Sequence, residues 1–237
     1  MPMRLVLLVG LVVAAGCSSG TDEESTPLPT GSETVQLDPA DFSADLDHPY
    51  WPMAPGNRWV YDEEGLRVEV TVTDRTRTIA GIEARVVHDV VTEDGQVVED
   101  TFDWYARDRS GNLWYLGEET TEFEDGKPVS KEGSWEAGVD GAQAGILLPA
   151  HPKAGQAYRQ EYYAGKAEDR AKVLSLDAAV RVPYGTFDTA LLTEDSTPLD
   201  PKAVERKYYV PDVGPVLALS LSDGAREELI SFETRAP

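Results

Sequence analysis

The chain has 237 residues, and 21 lysines and arginines face 43 aspartates and glutamates, for a formal net charge of −22. That balance argues against nucleic acid as a partner, whose binding rests on basic contacts to phosphates, and against attraction to an anionic membrane by charge alone. Cys17 is the one cysteine, so packing rather than an internal disulfide must stabilise the fold.

The chain opens Met1-Pro-Met-Arg4, followed by an apolar run from Leu5 to Ala15 and then Gly16 and Cys17. The run suits a signal core and is short of the ~20 apolar residues that a spanning helix needs. Ala14-Ala15-Gly16-Cys17 resembles a bacterial lipobox. The resemblance implies that the Cys17 thiol carries diacylglycerol and that the chain is cut between Gly16 and Cys17. Two or more acyl chains hold a membrane where one does so marginally. The expected location is therefore extracytoplasmic, anchored to the cell membrane. Ser18 lacks the aspartate associated with inner-membrane retention, which points to the outer membrane where one exists.

Residues 1–16 are read as signal peptide, 17–47 as lipidated cysteine and tether, and 48–237 as one β domain. The tether is rich in Ser, Thr, Gly, Pro, Asp and Glu and has no Lys or Arg after Cys17. Such a composition buries too little apolar surface to order itself. Phe42 and Leu46 are expected to begin docking.

From Asn57 onward the dominant period is two. Leu66 to Thr73 alternates apolar and polar without a break, as a strand with one wet face does. Ala84–Thr92, Val97–Ala106, Leu113–Phe123 and Val129–Trp135 are expected strands. Turns at Glu93-Asp-Gly-Gln96, Asp108-Arg-Ser-Gly-Asn112 and Glu124-Asp-Gly-Lys127 join them. Glu136 to Lys153, with its glycines and prolines, reads as a long loop. Gly155–Tyr163 resumes a strand, and Ala167–Leu174 is either strand or short helix. Val180–Val182, Ala190–Thr193, Glu205–Val210, Val216–Leu221 and Arg226–Phe232 complete the set. No helical period is long enough for a bundle or a βαβ unit. The fold class is mainly β: a twisted antiparallel sheet with at most one or two short helices.

Pro55-Gly-Asn-Arg-Trp-Val-Tyr61 echoes Ala154-Gly-Gln-Ala-Tyr-Arg-Gln160. Two related half-sheets or a shared strand-entry turn would explain it, and the shared turn is the simpler account.

Phe42 to Gly56, Val98 to Tyr115, Gly133-Ser-Trp-Glu-Ala-Gly138, Val182-Pro-Tyr-Gly-Thr-Phe-Asp188 and Tyr209-Val-Pro-Asp-Val-Gly-Pro-Val216 together resemble a family of uncharacterised secreted bacterial lipoproteins. They are also similar, more distantly, to domains of unknown function with a Pro-x-Gly-x-Phe turn and a late Pro-x-Val-Gly-x-Val turn. The resemblance implies a half-barrel like the lipoprotein-carrier fold, and no established activity. Pro215 departs from the pattern, because proline is poor within a ladder. The last-named strand is expected to start one residue later or to lie at an edge.

Residue chemistry is sparse. His48, His88 and His151 show no paired zinc spacing, and Gly-x-Ser-x-Gly is absent. Asp108 to Asn112 lacks the spaced acids of a calcium loop. Glu118, Glu119, Glu122, Glu124 and Asp125 read first as a solvated strand end. No catalytic residue, metal ligand or cofactor is implied. Aromatics do recur on both faces of the expected hairpin, with Trp104 and Trp114 among them and Tyr105 and Tyr115 beside them. These four are the candidate groove for an apolar or amphiphilic ligand, under the loop from Glu136 to Lys153. The other readings are an envelope protein with no small ligand and a hydrolase with dispersed carboxylates such as Asp103 or Glu136. The expected partners are a membrane, through the anchor, and an apolar ligand or envelope protein.

Overall fold

The computed structural model describes residues 28–235. Gly16, Cys17 and the signal segment lie outside the described residues. The main strands are β1 (Arg58–Glu63), β2 (Leu66–Ile79), β3 (Ile82–Glu93), β4 (Gln96–Asp108), β5 (Leu113–Glu124), β6 (Gln143–Leu148), β7 (Ala157–Arg159), β8 (Glu161–Tyr162), β9 (Arg170–Ser175), β10 (Leu191–Ser196), β11 (Val204–Val210), β12 (Gly214–Ser220) and β13 (Arg226–Glu233). Local chemistry sets the hairpins. Asp94-Gly95 and Asp125-Gly126 both take positive φ, as a two-residue turn requires. Glu93 then pairs with Gln96, and Glu124 with Lys127.

The order across the sheet is β7-β9-β10-β11-β12-β13-β1-β2-β3-β4-β5-β6-β8. The twisted antiparallel sheet is present and curls as a half-barrel. β7 and β8 stand at its two ends, yet only Gln160 separates them in the chain. Tyr158 of β7 pairs with Ala171 of β9, and Glu161 of β8 with Ala144 of β6. The two edges therefore meet in one short segment. Gly145 makes the meeting possible, because a Cβ there would overlap the Gln160 carbonyl.

Two expectations change and one open alternative resolves to strand. The segment from Glu136 to Lys153 is not a long loop, because Gln143–Leu148 is strand β6 and Ala144 to Leu148 are buried. Its glycines mark turns and the close approach at the seam. The stretch Ala167–Leu174 is strand β9 from Arg170, and the described residues hold one 3-10 turn, Pro39–Asp41. Pro215 stands inside β12, opposite Tyr209 at a register shift, and the bulge accommodates the proline.

The echo between residues 55–61 and 154–160 is structural as well as local. Gly56 N donates to Val72 O at 2.7 Å, and Gly155 N to Val173 O at 2.8 Å. Val72 N returns a bond to Asn57 O, and Val173 N to Gln156 O. Trp59 and Tyr158, two residues on, are both fully buried. Each turn opens one half of the sheet, β1 to β6 or β7 to β13. Both turns make the same pair of bonds, as a shared strand-entry turn requires.

Much of residues 28–47, assigned to the tether from composition, is seated on the domain. Arg159 is 1% exposed. Its Nη1 donates to the carbonyls of Gly31 and Glu33, and its Nη2 to Ala144 O at 3.0 Å. Leu46 pairs with Met53 and His48 with Trp51 in a small hairpin. This hairpin plugs one end of the sheet's interior, with His48 Nε2 3.1 Å from Pro149 O.

The outer face is wet. Arg58 bonds Glu69 at 2.5 Å, and Arg226 bonds Glu228 at 2.7 Å. These pairs stand where a membrane-spanning barrel would carry an apolar band.

Candidate functional site

A cavity of about 350 Å³ lies on the concave side of the sheet. Its floor is aromatic. Trp51, from the plug hairpin, reaches across the interior, with its ring 6.1 Å from Tyr105 of β4 and 6.5 Å from Tyr209 of β11. Tyr105 stacks on Tyr115 at 4.9 Å. Tyr61 completes the floor, its hydroxyl donating to Pro215 O at 3.0 Å.

A bulge in β5 sets which groups face inward. Trp104 pairs with Gly117 and Tyr105 with Tyr115, so Leu116 is the extra residue. The extra residue shifts the alternation by one. Tyr115 and Glu118 therefore both line the cavity, although one is odd and the other even. Gly117 takes φ +131° there, against the carbonyl of Trp135, where no side chain fits.

Away from the plug the wall is acidic. Five lining residues are carboxylates, namely Asp89, Glu118, Glu161, Asp169 and Glu227, and Lys207 is the lining amine. Lys207 Nζ is 3.3 Å from Asp195 and 3.6 Å from Glu205. Asp195 is fully engaged, because Thr193 Oγ1 donates to it at 2.7 Å and Gln160 Nε2 at 3.3 Å. Asp103 stands just behind the wall and accepts from the Tyr115 hydroxyl at 2.7 Å.

Burial and mutual repulsion raise the five lining carboxyls and Asp103 above their ordinary values. Asp103 is pushed up to about 6, mainly by burial. Glu118 rises to about 8 through burial and then the charge of Asp103. Glu161 also rises to about 8, and Glu227 to about 7, each chiefly by burial. Asp89 shifts up for the same reason, with Asp103 and Glu227 adding to it. Desolvation would lower the Lys207 amine, but Asp195 and its neighbours hold it above its ordinary value.

The four aromatic candidates separate. Tyr105 and Tyr115 come together on the cavity floor. Trp104 lies on the outer face, with the Arg77 guanidinium 4.0 Å over its ring. Trp114 packs edge-on to Phe42 and donates from Nε1 to Asp108 at 2.8 Å. It lines a different cavity, of about 520 Å³, between residues 28–42 and the sheet. Asp103 and Glu136 do not share a cleft, since Glu136 bonds Arg77 on the outside at 2.6 Å. Sequence reasoning missed Trp51, Tyr61 and the acidic wall. Period-two alternation pointed to Tyr209, but no local signal marks Glu161 or Glu227.

Among the described residues, no group of three or more His, Cys, Asp or Glu is set to hold a metal ion. No helix of the described residues is long and apolar enough to cross a membrane.

No family model and no curated protein matches the chain. A solved structure from Parabacteroides distasonis ATCC 8503, described as a "putative lipoprotein", is similar at 14% identity with a TM-score of 0.41. The match covers 78% of this chain and 99% of that one.

Proposed function

We propose that this protein is a lipid-anchored envelope protein whose sheet holds a small amphiphilic ligand in its interior. The cavity above Trp51 carries the reading. It has a floor of aromatic rings, a wall of polar groups, and a volume within the range of small-molecule sites. The anchor rests on Cys17 and the sequence before it. A short tether ahead of Leu28 would hold the domain close to the bilayer, where amphiphiles are abundant.

Two measurements test the reading. Cys17→Ser should leave the protein unprocessed or release it from membranes, and a membrane-bound, normally processed variant overturns the anchor. The neutral probe N-phenyl-1-naphthylamine should bind the wild type saturably. Ala218→Trp, which fills the cavity from β12, should abolish that binding, and unchanged binding overturns the cavity as the site.

The raised carboxylates favour a second reading, acid–base hydrolysis, because perturbed acids around a cleft are the signature of such sites. Hydrolysis of p-nitrophenyl glycosides or esters that is lost in Asp103→Asn would replace the first reading with this one.

A further inference from the structure

The geometry points to an organic cation, an aryl- or alkyl-ammonium, as the ligand of the cavity above Trp51. This inference rests on the reading of that cavity as a binding site and adds the ligand's charge.

The wall and the floor each recognise ammonium in a different way. Four tyrosines and Trp51 surround the deep end, and aromatic faces attract cations through the ring quadrupole. Five carboxylates line the rest of the cavity and face one lining amine, which is already held by Asp195 and Glu205. The lining thus carries an excess of acid that no internal partner balances.

One atom makes this excess specific. Asp89 Oδ1 is buried and has no hydrogen-bond partner, and Asp89 lines the cavity. A buried acceptor left unpaired costs about 1–3 kcal/mol, and an N–H of a ligand in the cavity would pair it. Two other interior acids already have partners, Asp103 in Tyr115 and Asp195 in Thr193, Gln160 and Lys207.

The arrangement also has a direction. On β4, Tyr105 lies towards Asp108 and the plug, and Asp103 and Glu99 lie towards the Gly95 hairpin. On β11, Tyr209 lies towards the plug, with Lys207 and Glu205 further from it. The rings are therefore deep, and the acids stand between them and the far end of the sheet. A ligand with an apolar body and a cationic head would put its body against Trp51 and its head beside Asp89 and Glu118. A cationic head would favour the charged form of these buried carboxyls, a neutral ligand would leave them protonated, and an anion would oppose their ionisation.

Calorimetric titration of the full chain with three small molecules of matched shape tests this. Benzylammonium should bind about tenfold tighter than benzyl alcohol, and phenylacetate most weakly. Glu118→Gln and Asp89→Asn should each weaken benzylammonium by about threefold or more and weaken benzyl alcohol by less, so that the preference for the cation narrows. Two variants keep the test open if one fails to fold, as judged by circular dichroism. Phenylacetate or benzyl alcohol binding as tightly as the ammonium overturns the cation while leaving the cavity reading standing. Binding of none of the three at millimolar concentration overturns the cavity reading itself.

Discussion

Gly145 of β6 packs directly on the Gln160 carbonyl, and a Cβ at Gly145 would also come within 2.6 Å of Arg159 O. This contact is where the two edges of the sheet meet. Both obstacles are backbone atoms, which cannot turn aside as a side chain can.

Gly145→Ala should therefore open the seam. The expected loss is about 2 kcal/mol or more, in the upper range for overpacking a filled site. Urea denaturation measures it, and a variant as stable as the wild type would mean that β6 shifts freely. Gly141→Ala, at φ +85° but with open space around it, should cost about 1 kcal/mol from backbone strain alone.

Arg159 should act as the clasp for residues 28–37. Arg159→Ala removes three hydrogen bonds, to the part-buried carbonyls of Gly31 and Glu33 and to Ala144 O in the buried interior. The buried carbonyl left unpaired costs about 1–3 kcal/mol. The segment ahead of Phe42 should then be cleaved early in limited proteolysis, with the sheet intact. Wild-type resistance in the variant would show that Val35, Leu37 and their apolar contacts hold the segment without the arginine.

Stability should fall as pH rises. Asp103, Glu227, Glu118 and Glu161 have folded values of about 6, 7, 8 and 8, above those of an unfolded chain. The folded state then binds protons more tightly, so its advantage is complete below the unfolded values and is lost as pH climbs through the folded ones. His48 works the other way, because burial lowers its value, so it opposes folding as pH falls below its ordinary value. Glu69 and Glu119, held low by Arg58 and Lys131, lose their contribution only in more acidic solution. Four carboxylates outweigh one histidine, and the melting temperature should be higher at about pH 5.5, inside this window, than at about pH 8.5, beyond its upper end. Glu118→Gln should flatten the profile. A melting temperature that rises towards pH 8.5 would contradict the raised values.

Trp51→Ala should enlarge the cavity and loosen the plug. Trp51 touches Trp59, Tyr105 and Tyr209, so its removal should cost about 3–5 kcal/mol. Near-ultraviolet circular dichroism should lose intensity while the far-ultraviolet strand signal persists. Loss of both would make the plug a condition of folding.

The strands were largely legible in the sequence. Leu66 to Thr73 alternates cleanly, and Asp94-Gly95 and Asp125-Gly126 encode two-residue turns whose geometry depends on those residues alone. The segment from Glu136 to Lys153 was not legible as strand. Buried on both faces, β6 reads as a short apolar run between glycines and prolines, without alternation to mark it. Trp104 and Trp114 were drawn to the groove because aromatic identity does not say which face is covered by cations such as Arg77.

The sequence by itself determined the mainly antiparallel β class, because period-two alternation and turn residues act over a few positions. It also carried the lipobox reading of Cys17. Tertiary structure alone decided the interior. The bulge at Leu116 brings Tyr115 and Glu118 to one face against simple alternation. Curling the sheet until β7 and β8 share a segment gathers Tyr61, Asp89, Glu161 and Glu227 around one cavity. These residues are far apart in the chain, and their raised values arise only when burial removes water from acids that closure has made neighbours.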